Sequence, residues 1–233
     1  VTGDDTSQQS IMVPLQFWFC RNPGLALPLI ALQYHEVKIT VKLASNTTMA
    51  LGGTMKLWVD YIYLDTDERR RFAQQSHEYL IEQLQYENHA SAVTMELNFN
   101  HPVKELMWVH QEGAAGGLFH YADLTDKAIL QLNGHERFSR REGDYFKNVQ
   151  RYQHHTGAKQ LLAESDGAAS PIYCYSFALQ PEEHQPSGTC NFSRIDNATL
   201  NFNAPVESDV TVMAHGYNVL RVASGMGGLA YSN

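Results

Sequence analysis

Eleven histidines are the first residues to test for chemistry. A zinc-protease helix needs His-Glu-x-x-His, with both imidazoles on one helical face. His35-Glu36 and His77-Glu78 start that pattern, but Ile39 and Ile81 stand where the second histidine would be. His154 and His155 are adjacent, so they diverge on a helix and oppose each other on a strand. No metal site is expected from these spacings. Gly225-Met226-Gly227-Gly228 follows the apolar run 217–223 like a phosphate loop, but the stretch to Asn233 is too short for a helix to follow it. The glycines read better as close packing of the tail. No Gly-x-Ser-x-Gly elbow occurs, and none of the three cysteines has a nucleophile context. The carboxylate pairs, Glu36 with Glu78 and Glu182-Glu183, need a cleft to act, and Glu182-Glu183 reads as a solvated loop. No catalytic residue, no bound metal and no cofactor are expected.

Three Asn-x-Ser/Thr sequons remain as possible N-glycosylation sites: Asn46, Asn191 and Asn197. Asn46 reads as a loop residue. Asn191 and Asn197 fall on or beside a strand candidate that could hide them.

The formal net charge is −8 over 233 residues. Binding to phosphates needs clustered Lys and Arg, so direct nucleic-acid contact is not expected. The one basic cluster, Arg69 to Arg71, follows acidic residues and reads as a solvated helix face. Cys20, Cys174 and Cys190 lack any CxxC spacing, so buried free thiols are expected, with a Cys174–Cys190 pair left open. No apolar run approaches the roughly 18 residues of a membrane span.

The elements that must position these residues are strands. Val37, Ile39, Val41 and Leu43 alternate with polar residues, as do Met55, Leu57, Val59, Tyr61 and Tyr63. Val13 to Phe19 is a third strand candidate, closed by the turn Arg21-Asn22-Pro23-Gly24. A short helix, capped by Asp65 or Thr66 and running to about Gln75, marks a boundary. Eight further strand candidates follow: 77–86, 93–99, 104–110, 127–133, 171–179, 191–202, 208–215 and 217–223. Asn133-Gly134 signals a tight hairpin turn. The segment 136–152 can hold a helical turn, and 111–123 and 154–170 read as loops. Eight short strands suggest a sandwich or jelly roll. Three strands in residues 1–65 cannot close one, so the chain, which begins at Val1, is expected to start inside a domain whose earlier strands lie upstream.

Longer segments carry a resemblance. Val13 to Phe19, Asn22 to Val37, Trp58 to Asp65, His77 to Gln83 and Leu97 to Pro102 are similar to the major capsid proteins of nucleocytoplasmic large DNA viruses, the chlorella-virus type in particular. So are Gln185 to Thr199, Tyr217 to Arg221 and Ser224 to Tyr231. The resemblance implies an all-β viral double jelly roll with the first roll incomplete: residues 1–65 as its last strands, residues 66–233 as a complete second roll. It implies a structural protein, not an enzyme. Its expected partners are two further copies in a homotrimer of pseudo-hexagonal outline, neighbouring capsomers, and penton and minor capsid proteins. An internal viral membrane would be a partner only indirectly, and the expected locations are the virion capsid and, during assembly, the host cytoplasm. The loop 111–126 looks shorter than in such relatives. Trp108 and Tyr231 are candidate interface anchors, with core packing the plainer reading.

The competing reading is a carbohydrate-binding or cupin-like jelly roll, which would need an aromatic or histidine-lined concave face. A jelly-roll hydrolase would need two facing carboxylates. Measurable sugar affinity would favour these over a capsid role.

Overall fold

The computed structural model describes residues 12–42, 55–110, 127–156, 172–204 and 209–231. It divides into two compact units, Val1–Tyr79 with Leu220–Gly228, and Leu80–Val219 with Leu229–Asn233.

The second unit holds most of the regular structure and the core. Its centre is β3 (Pro102–His110). β3 pairs antiparallel with β9 (Val210–Ala223), from Val103 opposite Gly216 to His110 opposite Val210. On its other edge it pairs with β6 (Tyr173–Ser176), Trp108 facing Tyr173, and with the short β7 (Cys190–Asn191). With β1 (His77–His89) beside β9, the order of this sheet is β1-β9-β3-β6, and β10 (Met226–Leu229) also pairs with β9. A second sheet runs β2 (Thr94–Glu96), β8 (Ala198–Phe202), β4 (Ala128–Leu132), β5 (His135–Glu136), with every pair antiparallel.

Alternating side chains build the core, as the pleat requires. Met95, Leu130, Leu200 and Phe202 come from the second sheet; Val103, Leu106, Trp108, Tyr173, Val210 and Val212 come from the first. Phe146 joins them from a π turn, Tyr145–Val149, that runs into α2 (Gln150–His154). Trp108 is the largest fully buried side chain. It stacks on Tyr173 at 6.0 Å between ring centroids and tilts against Phe146 at 5.1 Å.

Turn chemistry matches the sequence at two hairpins. Asn133 (φ 51) and Gly134 (φ 79) link β4 to β5, and Ser224 (φ 53) and Gly225 (φ 80) link β9 to β10. Two positive-φ residues are what a type I′ turn demands, so the glycine-rich ending forms a hairpin.

Three expectations need correction. The strands expected at 208–215 and 217–223 are one strand, β9. Gly216 is not a break: a Cβ there would meet the Pro102 carbonyl oxygen at 2.5 Å, so the glycine permits close backbone approach beside a bulge in β3. The strand expected over 191–202 is interrupted, because the Asn191 side chain accepts from the Ser193 N–H and caps a 3₁₀ turn at Phe192–Arg194. The strands expected at 13–19, 37–43 and 55–63 form no ladder among the described residues; Trp18–Cys20 is a 3₁₀ turn instead. A strand needs a neighbour to satisfy its backbone, and the alternating Val37, Ile39, Val41, Leu57 and Val59 stay exposed.

Within the first unit, α1 (Thr66–Gln74) starts where expected, with the Asp65 carboxylate accepting from the Glu68 N–H at 2.9 Å. Arg69, Arg70 and Arg71 are exposed on it. Trp18 packs at 5.9 Å from Tyr79, and Phe72 stacks on His77. No helix among the described residues is long and apolar enough to cross a membrane.

Candidate functional site

Charged residues buried on the central strand are the unexpected chemistry of this fold. Lys104 and Glu105 are adjacent and so point to opposite faces of β3, yet both are buried, as is His110. A buried charge must be paired, and the partners come from distant positions.

The first cluster surrounds Glu82 of β1. Lys104 Nζ lies 2.9 Å from its Oε1, with the Lys104 side chain fully buried and that of Glu82 5% exposed. His215 Nε2 lies 3.2 Å from Oε2, and His184 Nδ1 lies 3.5 Å from Oε1. The Lys104 ammonium also sits 5.0 Å from the centre of the Tyr217 ring, in cation–π range. Burial pushes the Glu82 carboxyl up, but His215 and Lys104 outweigh it and hold it down at about 2. This is a compact ionic lock between β1, β3 and β9.

The second cluster joins β3, β6 and the end of α2. His155 caps that helix, and its Nε2 hydrogen-bonds Glu105. Its Nδ1 lies 3.0 Å from Glu182 Oε1, and Glu182 also accepts from the Thr156 N–H at 3.0 Å. Glu182 lies in an exposed turn, as expected, and is tied from there to His155 and Thr156. Cys174 of β6 is 2% exposed and its Sγ donates to the Phe146 carbonyl oxygen at 3.6 Å. Contact with the Cys174 sulfur and with Glu105 pushes the His155 imidazole up to about 10, against the effect of burial. Burial pushes the Cys174 thiol up. His154, the neighbour, diverges to the Leu179 carbonyl at 3.0 Å.

The other residues singled out in the sequence are dispersed. Glu36 pairs with Lys38 and Glu78 with Arg221, both at the surface. His35 accepts from the Gly227 N–H, and His77 contacts the Phe72 carbonyl. Asn46 lies outside the described residues, as does the loop 111–126. Asn191 ends β7 and Asn197 directly precedes β8, on and beside a strand as expected, and both are exposed. All three cysteines are free; Cys20 is exposed, unlike the buried thiol expected. Cys174 faces Met107 and Cys190 faces Val103 across β3, four residues apart, or roughly 13 Å along the strand. A bond between them would exceed disulfide reach. Trp108 is core, whereas Tyr231 is 56% exposed. The signal that could have exposed the two clusters is the adjacent pair Lys104-Glu105 inside an otherwise mostly apolar strand candidate.

Comparison with known proteins gives this scaffold its context. The family described as large eukaryotic DNA virus major capsid protein matches residues 68–228, and the family described as major capsid protein N-terminus matches residues 2–65. The major capsid protein of Pyramimonas orientalis virus is 56% identical over 252 aligned positions, covering 99% of this chain and 63% of that protein. That of Paramecium bursaria Chlorella virus 1 is 41% identical over 306 positions, covering 97% of this chain and 68% of that protein. Among solved structures, the quasi-atomic model of the PBCV-1 virus capsid superposes with a TM-score of 0.75 at 39% identity, over 95% of this chain and 70% of that one. The chain thus spans about two thirds of the length of the curated relatives it matches. With matches along nearly its whole length and a shared fold of facing antiparallel sheets, the chain belongs to the family of large eukaryotic DNA virus major capsid proteins.

Proposed function

We propose that this chain is the shell-forming region of a major capsid protein, which builds trimeric, pseudo-hexagonal capsomers that tile an icosahedral virion. The superposition on the PBCV-1 capsid at 39% identity over 95% of the chain carries this reading. Residues 1–65 are the closing strands of a first jelly roll and residues 66–233 a second. Two observations support that division: separate family matches at 2–65 and 68–228, and exposed alternating apolar side chains at 37–41 and 55–63, as expected of strands awaiting neighbours.

The work of such a protein is mechanical. A rigid sandwich presents its walls to other copies, and closed symmetry repeats the same patches around each capsomer. Interfaces within a trimer are large and core-like, while those between trimers are smaller and sum over the shell. Penton and minor capsid proteins are further neighbours, and a membrane inside the shell is touched through them. The −8 net charge suits a wall that does not bind the genome. The protein works in the virion and is assembled in the host cytoplasm. Glycan attachment at Asn46, Asn191 or Asn197 belongs to this proposal only as a surface feature; exposure at Asn191 and Asn197 supports it.

Light scattering of the full-length protein tests the assembly. The expected mass is three subunits at micromolar concentration; a monodisperse monomer would overturn the capsomer reading.

A further inference from the structure

We propose that Glu105, His155 and Cys174 form a binding site for a divalent zinc-like cation that staples β3, β6 and the turn after α2. Three observations carry it. The ligand atoms of the three residues all lie within 4.8 Å of one another. Bonds of about 2.0–2.3 Å in tetrahedral array place ligand atoms roughly 3.3–3.8 Å apart, so the hydrogen-bonded His155 and Glu105 atoms must part and the wider pairs close, by shifts of about an ångström. His155, on the end of a short helix with its side chain 21% exposed, can supply them.

The donor set is also selective. One thiolate, one imidazole and one carboxylate form a borderline-soft set that suits zinc and cobalt and leaves calcium and magnesium, which want oxygen, unsatisfied.

The third observation is the partner behind the histidine. Glu182 holds Nδ1 at 3.0 Å, which turns Nε2 toward Glu105 and Cys174. Glu182 is in turn fixed by Thr156. A carboxylate on the far nitrogen of a histidine is the arrangement that orients imidazole ligands at zinc centres. Water takes the fourth position. On binding, the Cys174 thiol and the His155 imidazolium each release a proton to solvent, and the thiolate and the freed Nε2 bond the metal.

Cobalt(II) is the probe, because a cysteine ligand gives a thiolate-to-cobalt charge-transfer band in the near ultraviolet. The full 233-residue chain is titrated with cobalt, then zinc. The expected result is one cobalt per chain, a charge-transfer band, its loss on adding zinc and its absence in Cys174→Ser. Glu182→Gln, a change at a partly exposed position, should weaken binding about 10–100-fold while keeping the band at saturation. If Cys174→Ser does not fold, the wild-type band together with the Glu182→Gln affinity decides. The absence of a band in the wild-type chain, a band undiminished in folded Cys174→Ser, or unchanged affinity in Glu182→Gln would each overturn the site.

Discussion

Lys104→Ala is expected to destabilise the chain by about 3–5 kcal/mol. Lys104 is fully buried and holds Glu82 at 2.9 Å, so its loss leaves a carboxylate in the sheet without its ammonium partner, with His215 and His184 beside it. The cost lies in the stranded charge more than in the lost attraction. The double substitution Glu82→Gln with Lys104→Met therefore should recover most of the loss, because it removes both charges and keeps the volume. Urea unfolding followed by tryptophan fluorescence measures both. The same lock sets an acid limit. The Glu82 carboxyl is held down at about 2, below its ordinary 4.5. A carboxyl with a depressed folded-state pKa stabilises fully above its unfolded value and loses that contribution as pH falls through the folded one. Stability from this lock is thus expected to be intact above about pH 4.5 and to fall away toward pH 2. In the double variant that portion of the acid dependence should vanish.

The second large effect belongs to the core. Trp108→Ala should cost about 3–5 kcal/mol, the range for emptying a well-packed aromatic site. The indole is 2% exposed and wedged between Tyr173 and Phe146, which cannot collapse into the space without dragging β6 and the π turn with them. Trp58→Ala is the matched control. Its side chain is 86% exposed, so the change should stay within about 0.5 kcal/mol. Thermal unfolding of the two variants against the parent separates burial from residue type.

These residues also mark where the sequence was legible. Asp65 announced α1 and Asn133-Gly134 announced the β4–β5 turn because caps and type I′ turns are local: the residues that specify them are within three positions of each other. The strand candidates at 77–86, 93–99, 104–110 and 127–133 overlap observed strands of the sheets, and the last three carry apolar side chains into one core. Local reasoning failed at β3. The sequence places Lys104 and Glu105 on a strand, but only the fold brings Glu82 and His155 against them. The spacing of His154 and His155 makes no contiguous ligand motif, and Glu105, His155 and Cys174 come together only from three separate elements. Gly216 misled for a related reason: a glycine that admits a neighbouring backbone looks, in sequence, like one that ends a strand. The ladders expected in residues 13–63 were a different matter. Alternation specifies a face, but a ladder also needs a partner strand, and none lies alongside among the described residues.

The capsid reading itself was carried by long matched segments, Gln185 to Thr199 above all, and physical inference reached only an all-β, acidic chain with no catalytic constellation. Its central claim is that this chain forms the shell of a virus particle. Quantitative peptide mass spectrometry of purified particles from the virus that carries this coding sequence tests that claim most directly. Peptides from residues 68–228 should rank among the most abundant in the particle. Their presence in infected cells but absence from purified particles would contradict it.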